Sequence, residues 1–363
     1  MIARIPRLRL RNPAACRMPA TSPTRLGKPL ASRRHEMARP LRYRPDGQVW
    51  FEITNRTIQG RPLLRASREF NRLVLGALGR ALSQLPSVAI YIFAFASNHF
   101  HIILSVPTLA DISRFMNRFD SSLARIACRH HGWRDRLWAD RFHSIPILDQ
   151  DALAARVRYI LSHGCKEGLV LRPEDWPGAS CLPALLHGEK LTGVWIDHTA
   201  LHRKPRPAGN GDGGGAALAT EEVEIEYEVP LTPLPFWAEL PVAERQEKAR
   251  ALVADIEAET RKRHARLGTH PLGAPRVLAQ EPHQVPLEVK RRRAPACHTS
   301  RPELLRAFRQ AYRAFAAMFR EASRRLRAGE PGAVFPEHCF PPALDYLGSL
   351  GPPAPGLPAL SPA

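Results

Sequence analysis

The chain has 363 residues, a formal net charge of +19 at pH 7 and an isoelectric point near 10.6; it is too long for one small core and of a size for two modest domains with tails. The excess of base, mostly arginine, makes a polyanion the first partner to consider, because each cation near a phosphate backbone releases condensed counterion. Six cysteines (Cys16, Cys128, Cys165, Cys181, Cys297 and Cys339) are too scattered for a Cys-x-x-Cys metal knuckle or redox motif and fit a reducing setting, and the most apolar stretch, residues 88–106, is interrupted by Ser97, Asn98, His99 and His101 and so is no membrane span.

Residues 1–36 carry nine arginines and lysines against Glu36 and lack the apolar run of a signal peptide. They are expected to be a disordered basic extension, or to precede a true start at Met37. From Gln48 the pattern Val49-Trp50-Phe51-Glu52-Ile53-Thr54 predicts a first strand, leading to a basic turn over residues 55–61. Residues 67–84 place Phe70, Leu73, Val74, Ala77, Leu78 and Ala81 at helical spacing, a first helix with a shallow stripe at its end. A second strand (residues 89–95) meets a third (residues 100–106, opened by His99) through a polar Ala96-Ser97-Asn98 turn. Ile112, Phe115, Met116, Phe119, Leu123 and Ile126 then make the apolar stripe of a long second helix with Arg114, Arg118 and Arg125 on its other face. Residues 141–148 read as a fourth strand and residues 151–162 as a third helix.

The order β-α-β-β-α-β predicts an α+β fold, the ferredoxin-like split-βαβ sandwich, with helices on one face of an antiparallel sheet and the other face left for a ligand. Residues 37–180 form the expected catalytic domain. Residues 181–221 are a connecting segment that ends in the Gly-rich stretch of residues 205–219, a flexible linker by composition. Residues 222–363 are expected to be an accessory, mainly helical DNA-binding region, with helical periodicity over residues 241–266 and 302–328, the basic cluster Arg291-Arg292-Arg293 between them, and a Pro-rich end.

In His99-Phe100-His101 the strand period of two puts both imidazoles on one face and Phe100 on the other. Such a pair is either a bidentate platform for a divalent cation or two surface or packing histidines. Tyr159 lies late in the third helix, one turn before His163, and the two share a helical face. A phenol needs a cation or a base nearby to act as a nucleophile near neutral pH; the alternative is a tyrosine packed with Val157 and Ile160. His163 is a third ligand, or Gly164 ends the helix there and turns it to solvent. Arg56, Arg61, Arg114, Arg118, Arg141, Arg156, Arg158 and Lys166 are candidates for phosphate contact, with plain solvent exposure as the alternative. Trp50, Phe51 and Trp138 either stack on bases or pack in the core.

An ordered series of motifs, Ile53-Thr54-Asn55-Arg56, Ser97-Asn98-His99-Phe100-His101-Ile102, Trp138-Ala139-Asp140-Arg141-Phe142-His143, Tyr159-Ile160, Gly168-Leu169-Val170 and Pro173-Glu174-Asp175-Trp176-Pro177, resembles that of the IS200-like tyrosine transposases, especially their REP-associated branch. The resemblance covers about residues 40–180. It implies a metal-dependent single-stranded DNA endonuclease and strand transferase in which His99 and His101 bind Mg²⁺ or Mn²⁺ and Tyr159 attacks the phosphate, giving a 5′-phosphotyrosine link and a free 3′-hydroxyl. It implies hairpin-bearing repeat or transposon-end DNA as partner, a cytoplasmic, nucleoid-associated place of work, and either a monomer or a homodimer. Where the family carries Asn-Pro after its tyrosine, this chain has His163-Gly164, so an imidazole would replace an amide in the metal site. Two other readings stand beside this one: a non-catalytic nucleic-acid-binding protein on the same fold, and a structural protein whose arginine-rich helices bind another protein.

Overall fold

A computed structural model describes residues 41–45, 47, 50–199, 223–286, 294–330, 332–337 and 339–340. The basic extension of residues 1–36, the Gly-rich linker, Arg291 to Arg293 and the last, Pro-rich residues lie outside the described residues.

The expected sandwich is present. β1 (Trp50–Arg56), β2 (Ala89–Phe95), β3 (His99–Ser105) and β4 (His143–Pro146) form one sheet in the order β2-β3-β1-β4, with every neighbouring pair antiparallel. The β1-α-β2 and β3-α-β4 units interleave in it, so that β1 and β3 are central. α1 (Arg68–Ser83) and α2 (Leu109–His130) pack on one face. α1 starts where the Ser67 side chain accepts from Phe70 N, and α2 where Thr108 and Asp111 form a reciprocal capping box. Both caps release the chain from extended into helical conformation.

Strand alternation divides the sheet's two faces. Phe51, Ile53, Phe100, Ile102 and Leu104 are fully buried, and Phe100 meets Phe95, Phe119 and Trp138 in the core beneath α2. Phe51 is therefore a core residue rather than a base-stacking platform; Trp138 is partly buried against the same core and donates from Nε1 to the Asp120 carbonyl. The other face is not left open. α3 (Gln150–Leu161), capped by Asp149, lies across it with Leu153, Val157 and Ile160 buried, and a one-turn α4 (His163–Lys166) continues beyond a break at Ser162. The reason is amphipathicity: those three apolar side chains need cover, and the sheet's second face supplies it.

The sequence did not suggest the hairpin of β5 (Thr192–Ile196) and β6 (Glu224–Glu228), which covers the outer side of α1. It follows α5 (Leu182–His187) and explains the shallow end of the α1 stripe. A Cβ on Gly76 would stand 2.1 Å from the Val194 carbonyl oxygen, and one on Gly193 would stand 2.2 Å from Gly76 N, so helix and strand meet nearly backbone to backbone. The two long helices expected beyond residue 222 are α6 (Val242–Leu267) and α8 (Pro302–Arg327), with a short α7 (Ala274–Leu278) between them. α6 packs against α3, α4 and α5, and α8 meets the segment that precedes β1, where Leu41 N donates to Tyr312 Oη. Arg263 of α6 donates to the carbonyls of Cys165 and Lys166, and Tyr43 packs its ring against Phe308 and Phe315 of α8. Among the described residues no helix is long and apolar enough to cross a membrane.

Gly76→Ala should push the hairpin off α1 and destabilise the protein by about 1–3 kcal/mol, the usual range for overpacking. Urea unfolding followed by circular dichroism reads this directly; an unchanged midpoint would mean that the close approach of α1 and β5 carries no stability.

Candidate metal centre

His99 and His101 emerge from β3 on the face opposite Phe100, and His163 reaches them from the first residue of α4. The ring centroids are 5.1 Å (His99–His101), 4.6 Å (His99–His163) and 5.3 Å (His101–His163) apart. One ring nitrogen from each lies within 4.8 Å of the others, close enough for a single ion to take all three. His163 is thus turned inward and only 8% exposed. Gly164 does not end the helix. It sits inside α4, where a Cβ would fall 2.7 Å from Trp176 Cε3, and the left-handed turn that stops the helix comes at Gly168.

Hydrogen bonds set which nitrogen the two strand histidines offer. His99 Nδ1 is 2.6 Å from Asn98 Oδ1, and Asn98 is itself pinned by its Nδ2 donating to the Gly60 carbonyl. His101 Nδ1 is 2.8 Å from Glu52 Oε1. The remaining Nε2 of His101 and Nδ1 of His163 are buried without a hydrogen-bond partner among the described residues. Buried imidazole nitrogens left unpaired on facing rings are costly in a closed protein, and a cation taking their lone pairs removes that cost; the donor set fits a divalent transition ion. Burial, then the neighbouring charge of His101, lowers both of the other rings: His99 well below its usual value, with His163 and Arg56 contributing, and His163 to about 3, with Lys166, Arg156 and Arg56 contributing. Both are neutral near pH 7, the state a metal ligand requires.

Tyr159 is half-buried beside this cluster, its ring centroid 5.7 Å from that of His101 and 6.1 Å from that of His163. The Arg156 guanidinium lies 3.8 Å and the Lys166 ammonium 4.1 Å from the ring centroid. Arg156 also donates from Nη2 to Glu52 Oε1 at 2.7 Å. Arg56, paired across the sheet with His99, stands at the rim of the same face. The fold therefore gathers Arg56, Arg156 and Lys166 around the tyrosine and the histidines.

The other basic candidates are elsewhere. Arg114 and Arg118 are exposed on α2, on the far side of the sheet, the first beside Asp111 and the second donating to Gln84 Oε1. Arg158 pairs with Glu259 and Asp255 of α6 at 3.0 and 3.9 Å. Arg61 donates to the His283 carbonyl and stacks on Trp133. Arg141, with Arg42 and Phe340, lines a cavity beside α8. Two members of the centre escaped the sequence reading, Glu52 and His298. For Glu52 a signal existed, since an acid between Phe51 and Ile53 in an otherwise apolar strand asks for a buried partner; for His298 there was none.

The depressed histidines make the metal-free protein sensitive to acid. In the unfolded chain His163 takes a proton near pH 6.5, in the folded one only near 3; between these values the unfolded state binds more protons, so stability falls as pH drops from about 6.5 toward 3, by up to about 1.4 kcal/mol per pH unit for each such histidine. Chelator-treated protein should lose urea resistance between pH 7 and pH 5, and His163→Asn should flatten the slope. A variant slope as steep as that of the parent would show that His163 is not held neutral by the fold.

Residues 71–163, which contain all three histidines and Tyr159, match the family model described as "Transposase IS200 like". Solved structures similar to this chain include a REP-associated tyrosine transposase bound to a REP hairpin (23% identity, 40% of this chain and 82% of that one, TM-score 0.33). Another is a candidate transposase from Deinococcus radiodurans R1 (13% identity, 33% and 95% coverage, TM-score 0.24). No curated protein matches significantly. Over residues 71–163, from the first turn of α1 to the third histidine, the chain is distantly similar to IS200-like transposases, and that match together with the histidine cluster supports a metal-associated enzymatic activity in general terms.

Proposed function

We propose that the protein is a metal-dependent single-stranded DNA endonuclease and strand transferase acting on hairpin-bearing repeat or transposon-end DNA. The observation that carries this reading is the position of Tyr159: one helical turn before His163, against His101, with two cations on its ring. His99, His101 and His163 would hold Mg²⁺ or Mn²⁺, which when bound would supply Lewis-acid polarisation of the scissile phosphate. Tyr159 Oη forms a bond to phosphorus while the P–O3′ bond breaks; the phenolic proton leaves to solvent and the departing 3′ oxygen gains one. The product is a 5′-phosphotyrosine and a free 3′-hydroxyl. One phosphodiester replaces another, so the same hydroxyl, or that of another strand, reverses the reaction without an external energy source.

Arg56, Arg156 and Lys166 hold the strand backbone at this centre through phosphate contacts, which fix position without reading bases. Arg61, Arg114, Arg118, Arg141 and Arg158 are more distant phosphate contacts, where an extended strand or a hairpin stem passes. The accessory region, residues 222–363, tunes DNA affinity and contributes no attacking group.

Tyr159→Phe keeps the ring for packing and removes the attacking oxygen, so DNA binding should persist while cleavage of a labelled hairpin oligonucleotide in Mn²⁺ falls to background. Mass mapping of the trapped adduct locates the link; robust cleavage by the variant, or an adduct on another residue, removes Tyr159 from this role. Perfect duplex should be cut more slowly than matched hairpin or single-stranded substrates, and equal or faster duplex cleavage would overturn the substrate class.

His163→Ala should weaken Mn²⁺ binding by at least about tenfold, or about 1.4 kcal/mol, with partial recovery of cleavage at high Mn²⁺. Unchanged affinity in calorimetric titration would exclude His163 as a ligand while leaving the other two histidines in place.

A further inference from the structure

Glu52 stands in the middle of β1 and is 1% exposed. A carboxylate so far from water needs compensation from every side. Its Oε1 accepts from His101 Nδ1 at 2.8 Å and from Arg156 Nη2 at 2.7 Å. Its Oε2 lies 2.6 Å from His298 Nε2, close enough for that ring to donate to it. Burial by itself raises the carboxyl; the contacts with His101 and His298, and the charges of His101 and Arg156, outweigh it and hold Glu52 well below the usual carboxylate range.

His298 belongs to the C-terminal part of the chain, and its place is fixed locally. Its N–H donates to the Pro146 carbonyl at 2.8 Å, and Leu148 N donates to its carbonyl at 2.9 Å, so it runs as a one-residue bridge beside the end of β4. The next two residues bind the cap of the tyrosine helix. Asp149, which accepts from Ala152 N, also accepts from Thr299 Oγ1 at 2.6 Å, Ser300 N at 2.9 Å and Ser300 Oγ at 2.8 Å.

We infer that Glu52 and His298 are positioning residues of the cation centre: Glu52 fixes His101 as the Nδ1–H tautomer with Nε2 turned to His99 and His163, and His298, supplied by the C-terminal part, holds Glu52 in that pose. The inference rests on the proposal that the three histidines bind a cation. A carboxylate behind a ligand histidine fixes ring orientation and raises the basicity of the coordinating nitrogen, and the partnerless Nε2 of His101 is the atom this arrangement leaves free. The centre is then incomplete without residues 298–300, although the C-terminal part supplies neither ligand nor nucleophile.

The test uses the full-length chain, with Mn²⁺ titration by calorimetry and the visible absorption of the Co²⁺-loaded protein. Glu52→Ala and His298→Ala should each weaken Mn²⁺ binding by about 10–100-fold and alter the Co²⁺ spectrum, and His298→Gln, which retains a side-chain N–H donor, should recover most of the affinity. In the Zn²⁺-loaded parent protein, ¹⁵N spectra of the histidine rings should show His101 protonated at Nδ1 and coordinated through Nε2. If alanine at His99, His101 and His163 leaves Mn²⁺ binding intact, the cation reading falls and the inference with it. If those variants abolish binding while folded Glu52→Ala and His298→Ala keep the parent affinity and spectrum, the positioning role alone falls. Should either variant fail to fold, the ring spectra of the parent decide, and a His101 protonated at Nε2 overturns the inference.

Discussion

Alternate side chains of a β-strand leave on opposite faces, and a central strand can therefore build a core and a polar centre at once. β3 does both. Phe100, Ile102 and Leu104 enter the core beneath α1 and α2, while His99 and His101 stand on the other side. Its position between β2 and β1 keeps the two imidazoles in fixed register, with Thr54 opposite His101 and Arg56 opposite His99. A slip of one residue would exchange the two faces, placing both histidines in the apolar layer. The sandwich is thereby committed to one register by its hydrophobic face, and the geometry of the histidines follows from that commitment.

Around the histidines the chain places acceptors so that both strand imidazoles have one nitrogen engaged. Asn98, the last residue of the β2–β3 turn, takes His99, and Glu52 of the neighbouring strand takes His101. Glu52 then shares its charge between Arg156 of the tyrosine helix and His298 of the C-terminal part. A buried carboxylate with three positive or hydrogen-bonding neighbours contributes little net stability, because desolvation offsets most of the attraction. What it contributes is orientation: strand, helix and C-terminal segment are held to one arrangement of the same three histidines and one tyrosine.

The break between α3 and α4 has a similar logic. Trp176 donates from Nε1 to the Phe95 carbonyl and its ring presses on residue 164, where only glycine leaves room. This draws the chain after Tyr159 toward β2 and turns His163 inward. α6 braces the same segment through Arg263 on the Cys165 and Lys166 carbonyls and through the acids that pair with Arg158. α6 is thus in direct contact with the helix that bears the tyrosine.

The sequence by itself determined whatever depends on near neighbours: four strands and three helices within a few residues of their bounds, the shared face of His99 and His101, and the one-turn spacing of Tyr159 and His163. Period, capping and turn chemistry act over four or five residues, and those signals are written where they operate. The β5–β6 hairpin was not legible, because its two strands are short and separated by a long polar stretch, and only the outer side of α1 gives them a surface. Nor could the sequence tell which arginines belong to the centre; Arg156 and Arg158 are two residues apart, yet one turns to Glu52 and the other to α6. The pairing of Glu52 with His298 was decided by tertiary structure alone. It joins residues far apart in the chain, and closing so long a loop adds only slowly to its entropic cost, so packing at its two ends, and no local pattern, selects the contact.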